Sequence, residues 1–272
     1  MQIKEIIQHL ESIAPPPYQE SYDNSGLIVG DSNTTCTGVL VCLDSTEDIV
    51  NEAITKGCNL IVAHHPIVFK GLKRFNGKNY VERTVIKAIK NDVAIYAIHT
   101  NLDNVFHQGV NTMIAEKLGL KNTKILATKA QILSKLTTFA PTENTQAVLD
   151  AMYLAGAGQV GAYKNCSFRT EGTGTFQPTG DAKPHIGELN QNAEVKENRL
   201  EVVFPTHMSS KIIQALKKAH PYEEVAYYLQ GIENENQEVG SGIIGELEMP
   251  YEPLDFLNNL RSENVDRIFK TS

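Results

Sequence analysis

The segment from Thr137 to Tyr163 recurs as Glu201 to Tyr227, at an offset of 64 residues. Pro141-Thr142 meets Pro205-Thr206, while Ala151, Ala155, Ala162 and Tyr163 meet Ala215, Ala219, Ala226 and Tyr227. Apolar positions coincide too: Val148 with Ile212, Leu149 with Ile213, Met152 with Leu216. Each copy reads strand, Pro-Thr turn, helix, strand. Two β-α-β units in tandem predict an α+β, ferredoxin-like domain, placed at residues 132–247. Between the copies, the Gly-rich stretch from Gly172-Thr173-Gly174 to Gly187 reads as a long loop or hairpin.

The chain before this repeat has a different rhythm. Ile3, Ile6, Ile7 and Leu10 share one face of a helix over Met1 to Ile13, which Pro15-Pro16-Pro17 ends. Gly38 to Leu43, Asn59 to Ala63 and Val93 to Ile98 are apolar runs suited to buried strands. Helices are expected between and after them, over Thr46 to Lys56, Val81 to Lys90 and Val110 to Leu118. Ser45 is the expected N-cap of the first of these, and Gly57 its C-cap. Strands alternating with helices predict an α/β domain over residues 1–131, with a mostly parallel sheet and helices on both faces. Residues 248–272 offer one helix, Leu254 to Leu260, and the beginning of a strand, Arg267 to Lys270. These are too little for a domain and read as the start of a further α/β half.

Composition narrows the class. The 272 residues carry 41% apolar and 21% charged side chains, a globular balance. No apolar run reaches the roughly 18–20 residues that span a bilayer. Met1 to Ala14 mixes charges into an amphipathic pattern, so neither a secretory signal nor a membrane partner is expected, and a cytoplasmic location is. The net charge of −7, with no Lys/Arg cluster, argues against nucleic acid as partner and leaves a small or metal-bridged anion open. Cys36, Cys42, Cys58 and Cys166 lack C-x-x-C spacing and read as reduced thiols.

The chemistry concentrates at strand ends. Leu60-Ile61-Val62-Ala63 runs into His64-His65-Pro66, and Ile95-Tyr96-Ala97-Ile98 into His99-Thr100-Asn101-Leu102-Asp103. Ligands of open α/β sheets gather at the carboxyl ends of strands, and imidazole is a common metal ligand. A His-His pair alone could equally be a turn held by ring hydrogen bonds. Two strands delivering His64, His65, His99 and Asp103 to one edge favour a divalent-metal site. Successive side chains of a strand point to opposite sides, so His64 and His65 are expected to serve different ions, with Asp103 between them. Two-metal hydrolytic sites, with ions about 3.5–4 Å apart, have this layout. His220-Pro221-Tyr222-Glu223-Glu224 offers a His-x-x-x-Glu spacing, but Pro221 interrupts any helix there. The repeat aligns His220 with Gly156, so a helix-to-strand corner is the better reading. Asp44 is either a ligand or part of a capping turn. Tyr22 to Leu27, with Asp23 and Asn24, either lines a pocket or forms an Asx turn. His107, His185 and His207 read as surface or capping residues.

Tyr22-Asp23-Asn24-Ser25-Gly26-Leu27, Val62-Ala63-His64-His65-Pro66 and Ile98-His99-Thr100-Asn101-Leu102-Asp103 together resemble the motifs of the GTP cyclohydrolase 1 type 2 homologs, the Nif-three-like proteins, with Tyr22 in place of a Trp. The repeat domain, with Gly172-Thr173-Gly174 and His220-Pro221-Tyr222-Glu223, resembles the P-II/CutA-like insert of longer bacterial members. The resemblance implies two α/β halves flanking a site for two divalent ions (zinc, iron or manganese), with His64, His65 and Asp103 as ligands. His99 falls beside them, as a supporting residue or proton shuttle. It further implies a homo-oligomer, a toroidal hexamer, and hydrolytic opening of a purine nucleotide ring. Members of this type complete the site with a His and a Glu from the second half. This sequence has no counterpart to them, so most of that half is expected to be absent and metal binding weaker.

Two functions compete. One is a metal-dependent hydrolase acting on a nucleotide or phosphate-containing small molecule, its catalytic residues unknown. The other is a non-catalytic metal-binding or regulatory assembly, built around the ferredoxin-like insert.

Overall fold

The computed structural model describes residues 1–262. The chain divides into two compact units, one formed by residues 1–128 and the segment from 238, the other by residues 129–237. The division falls near residues 129 and 237, where the sequence suggests 132 and 247. The later boundary moves because β-structure after Asn236 pairs within the first unit.

In that first unit, helix α1 (Ile3–Ile13) buries Ile3 and Ile7. The Glu5 carboxylate accepts the Gln2 backbone N–H at 2.6 Å, satisfying one free donor of its first turn. A short helical turn at Pro16–Tyr18 leads to strand β1 (Gly26–Val29). Then follow β2 (Val39–Asp44), α2 (Glu47–Thr55), β3 (Leu60–His65), α3 (Tyr80–Lys90), β4 (Ala94–Ala97), a one-turn helix α4 (Thr100–Asp103) and α5 (Val110–Lys117). The cap of α2 is Thr46, whose hydroxyl accepts the Ile49 N–H at 3.3 Å; Ser45 lies one residue outside the cap.

The sheet has the order β1-β4-β3-β2. β2–β3 and β3–β4 are parallel, in a register that places Asp44 beside His65 and Ala63 beside Ala97. β1 runs antiparallel to β4, with Gly26 beside Ala97. The ends of β2, β3 and β4 and the start of β1 therefore share one edge. Val50, Ala53, Val85 and Ala88 of α2 and α3 pack with Leu40, Ile61, Ala63 and Ile95 of the sheet in one buried cluster. Over β4, the Tyr96 hydroxyl reaches Glu11 of α1 at 3.5 Å. Each fully buried Leu or Ile contributes about 1.5–3 kcal/mol relative to exposure. β2 departs from the buried strand expected: Leu40 is buried, but Val41 and Leu43 are 77% and 60% exposed. Its alternate side chains face a side of the sheet that no described element covers at this edge. Strand β5 (Lys121–Lys129) pairs with the later β10 (below) in a two-stranded sheet.

The second unit contains β6 (Leu133–Pro141), α6 (Thr145–Ala155), β7 (Phe168–Phe176), β8 (Ala193–Pro205), α7 (Ser209–Ala219) and β9 (Tyr227–Ile232). Its sheet order, β7-β8-β6-β9, is that of two interleaved β-α-β units, and its β6–β8, β6–β9 and β7–β8 pairs are antiparallel. This is the ferredoxin-like topology. The repeat-matched residues form its core: Val148, Leu149 and Met152 of α6 lie in one buried cluster with Ile212 and Leu216 of α7 and with Leu136, Leu200 and Phe204 of the sheet. The Gly-rich stretch is partly strand, since β7 runs through Gly172 and Gly174. The strand of the first copy begins after Tyr163, whose backbone is joined to Val160 in an isolated bridge. Strand β10 (Asn236–Glu246) returns the chain to the first unit, and α8 (Pro253–Ser262) follows. The strand expected at Arg267 to Lys270 lies outside the described residues. Among the described residues, no helix is long and apolar enough to cross a membrane.

Candidate metal centre

β3 ends in His64 and His65, and the chain leaving β4 reaches His99 two residues after Ala97. Because β3 and β4 are parallel neighbours, the three histidines arrive at the same edge. Their rings close on one another: the centroids are 4.9 Å apart for His64–His65, 5.2 Å for His64–His99 and 5.5 Å for His65–His99. Each ring offers one nitrogen, and these atoms lie within 4.8 Å of one another. The His64 and His65 rings leave the strand at 52° to one another and still reach the same end of the sheet. Alternation sets where a side chain leaves the strand; the hydrogen bonds at each ring then fix where its tip lies.

Those hydrogen bonds follow one pattern. The His64 Nδ1 lies 3.0 Å from the Ile98 carbonyl oxygen. The His65 Nδ1 lies 2.8 Å from Asp44 Oδ1, and the His99 Nδ1 lies 2.8 Å from Asp23 Oδ1. A carbonyl or an ionised carboxylate only accepts, so each Nδ1 carries the proton and donates it. In its neutral form, each ring then has its Nε2 lone pair free, the tautomer that a metal ligand requires. The donor set therefore fits a divalent ion: three imidazoles, each oriented by an acceptor at its Nδ1.

Asp23 is the most elaborately held of these acceptors. Its side chain is fully buried. It accepts from His99 Nδ1, from the Thr100 N–H at 3.0 Å and the Thr100 hydroxyl, from the Asn24 N–H at 2.7 Å and from the Ser25 hydroxyl at 3.0 Å. Burial pushes the carboxyl upward, but the donors from His99, Thr100 and Asn24 outweigh it and hold it at about 2. Asn24 uses its side-chain amide to grip the Val68 carbonyl at 2.6 Å, tying this segment to the chain after Pro66. Asp23 and Asn24, read from the sequence as pocket lining or an Asx turn, stand behind the cluster. Asp103 ends the one-turn helix α4, with its backbone N–H donating to the His99 carbonyl at 3.1 Å. Its Oδ1 lies 3.7 Å from His64 Nε2, at the margin of the three-histidine group. Phe69, its ring 6.3 Å from His99 and 6.4 Å from Tyr22, forms an aromatic wall beside the site.

Residues 1–268 match the sequence pattern of the Duf34/NIF3 (NGG1p interacting factor 3) family. The chain belongs to the Duf34/NIF3 family. Among the relatives of this NIF3 chain, the GTP cyclohydrolase 1 type 2 homolog of Bacillus subtilis is 42% identical over 245 residues, covering 90% of this chain and 65% of the relative. The protein of the same name from Halalkalibacterium halodurans is 40% identical over 243 residues, covering 89% and 65%. The chain thus spans a little under two thirds of the length of these curated relatives. A crystal structure of a Bacillus cereus protein related to NIF3 superposes with a TM-score of 0.84 at 39% identity, covering 98% of this chain and 71% of that one. Staphylococcus aureus protein SA1388 gives 0.70 at 32% identity, covering 98% and 70%.

Within this NIF3 fold, two features of the site escape sequence reasoning. Asp44, a ligand or a cap by its sequence, orients His65 from the adjacent strand. His99, expected beside the site, stands in the cluster itself. The signal for Asp44 is its place at a strand end, but only the β2–β3 pairing reveals that it faces His65. His220, by contrast, lies in the other unit at the corner after α7. Its Nε2 donates to the Phe139 carbonyl at 2.7 Å, and its Nδ1 accepts the Tyr222 N–H at 3.1 Å. Both nitrogens are used structurally.

Proposed function

We propose that His64, His65 and His99, with Asp103 at their margin, form a divalent-metal centre of a hydrolase acting on a nucleotide or another small phosphate-containing molecule. The observation that carries this reading is the shared hydrogen-bond pattern, in which three Nδ1 atoms meet acceptors, together with the approach of the three residues' ligand nitrogens to within 4.8 Å of one another. Three protein ligands with a remaining open position are the pattern of catalytic zinc sites, and imidazole with carboxylate also suits iron or manganese. When bound, such an ion supplies Lewis acidity and a lowered pKa for water. The residues hold its place: Ile98, Asp44 and Asp23 fix the rings, and Asp103 adds the carboxylate that a two-ion version of the centre needs next to His64. His99 enters as a ligand and not as a proton shuttle, because Asp23 already holds its Nδ1 proton. The substrate class follows the names of the relatives, and a homo-oligomer, hexameric as in the resemblance, is the proposed working form.

The test is elemental analysis of purified protein beside His64→Ala and Asp103→Ala, followed by assays on GTP and p-nitrophenyl phosphate with and without chelator. At least one tightly held ion per chain, lost in His64→Ala, and chelator-sensitive turnover are expected. Metal binding without turnover of either compound replaces the hydrolase by a non-catalytic metal-binding role. No bound metal refutes the centre.

A further inference from the structure

The second unit carries a half-open cleft of about 740 Å³, well away in the chain from the histidine cluster and lined by residues of β6, β7, β8, β9, the loop after β7 and the corner after α7. That volume lies within the range of about 300–1,000 Å³ typical of small-molecule sites. Two aromatic pairs contribute to its wall: Phe176 with Tyr222, ring centroids 6.0 Å apart, and Phe139 with Tyr228, 5.9 Å apart.

Glu197 of β8 also lines the cavity and is 8% exposed. Its Oε1 accepts the Tyr222 hydroxyl at 2.8 Å. Among the described residues, no donor reaches its Oε2. That oxygen is not among the buried side-chain atoms left without a partner, so it is open to the water of the cleft and can exchange it for a ligand's N–H. The opposing position is Gly174 of β7, where an added Cβ would collide with Glu197 Oε2. Only glycine there leaves the carboxylate its place.

The charge of the lining sets the sign of the ligand. The lining holds four carboxylates, Glu171, Glu197, Glu223 and Glu224, against one guanidinium, Arg199, and one imidazole, His185, whose ring lies 6.2 Å from that of Tyr222. Arg199 is already paired with Glu201 at 2.7 Å, and Glu223 with the Lys183 N–H at 2.8 Å. Four carboxylates against one guanidinium that is already paired disfavour a phosphate or carboxylate ligand. An ammonium group gains the Glu197 oxygen and the faces of aromatic rings, a combination that attracts cations strongly when desolvated.

We propose that this cavity binds a small organic ammonium ion with an apolar body, its charged nitrogen on Glu197 Oε2 and its body among Phe139, Phe176, Tyr222 and Tyr228. The site is independent of the metal centre: it draws on no residue of the first unit.

Isothermal titration calorimetry of the full chain tests this with phenethylamine, its uncharged isostere 2-phenylethanol and the anion phenylacetate. Phenethylamine is expected to bind at least tenfold more tightly than either. Glu197→Gln keeps the side-chain shape and should erase that preference; Gly174→Ala, which displaces the carboxylate, should weaken phenethylamine at least tenfold. Circular dichroism verifies that each variant is folded, and if one is not, the other carries the test together with the three-ligand ranking of the unsubstituted chain. Equal affinity for the amine and the alcohol, or a preference for phenylacetate, overturns the proposal. Tighter binding of a capped lysine amide than of phenethylamine overturns the assignment to a free small amine.

Discussion

Replacing Asp23 by Asn tests the link between ring orientation and metal affinity most directly. The substitution keeps the size of the side chain but exchanges a carboxylate, which only accepts, for an amide with one acceptor oxygen and an NH₂ group. Asp23 receives hydrogen bonds from His99, Thr100, Asn24 and Ser25, and its carboxyl sits at about 2 against an ordinary 3.8. That gap corresponds to about 2 kcal/mol favouring the ionised form in the folded chain, at about 1.4 kcal/mol per pH unit. The sign follows: the folded value is depressed, so this stability is present above about pH 4 and lost as pH falls towards 2. The Asp23→Asn variant lacks it at every pH, so the first unit should lose about 2 kcal/mol at pH 7. For a domain of this size that is a drop of about 4–8 °C in melting temperature.

The effect on metal is separate. With an amide NH₂ turned to His99, its Nδ1 becomes the acceptor, the proton moves to Nε2, and that nitrogen no longer offers a lone pair. Loss of an orienting partner typically weakens metal binding about 10–100-fold. Chelator-competition titrations of wild type and Asp23→Asn measure the affinity, and calorimetric melting measures the stability. Destabilisation without any loss of affinity would refute the reasoning, because it would mean that the Asp23–His99 contact serves the fold and not the ligand.

Asp44→Asn should lower metal affinity about tenfold by the same mechanism at His65; because this pair is exposed, its effect on stability should stay within about 1 kcal/mol, checked by the same titration and melt. Phe204→Ala removes a fully buried ring from the core of the second unit and should destabilise that unit by about 3–5 kcal/mol, read by urea denaturation. Burial holds the His220 imidazole below its usual value of 6.5, and its neutral form both donates to Phe139 and accepts from Tyr222. Its contribution is therefore complete above about pH 6.5 and declines as pH falls. Melting of the second unit should show this slope between pH 7 and 5, and His220→Gln should flatten it; an unchanged slope in the variant counts against the assignment.

Much of the architecture is legible in residue order. Ile3 and Ile7 mark the buried face of α1, and the 64-residue repeat marks α6 and α7 through the same positions that fill their shared core. Periodicity and repetition survive in sequence because each records which side of an element is kept from water. The misreadings have a common origin. β2 looks buried because its run is apolar on both faces, yet whether each face is covered depends on neighbours far away in the chain. β1 escapes notice because its four residues are too few to show alternation, and its pairing with β4 supplies what local pattern does not.

His64 and His65 illustrate the same divide. Their presence at the end of an apolar strand, with His99 and Asp103 after the next, is plain from the sequence alone, as is the suggestion of metal. Sequence also states that neighbouring side chains of a strand diverge. Only the tertiary structure brings the three rings together, because that depends on β2, β3 and β4 lying side by side in parallel and on β1 returning Asp23 to the same edge. The kind of ligand atom is a property of the residue; its direction, tautomer and partners are set by hydrogen bonds between segments that are 21 and 76 residues apart in the chain.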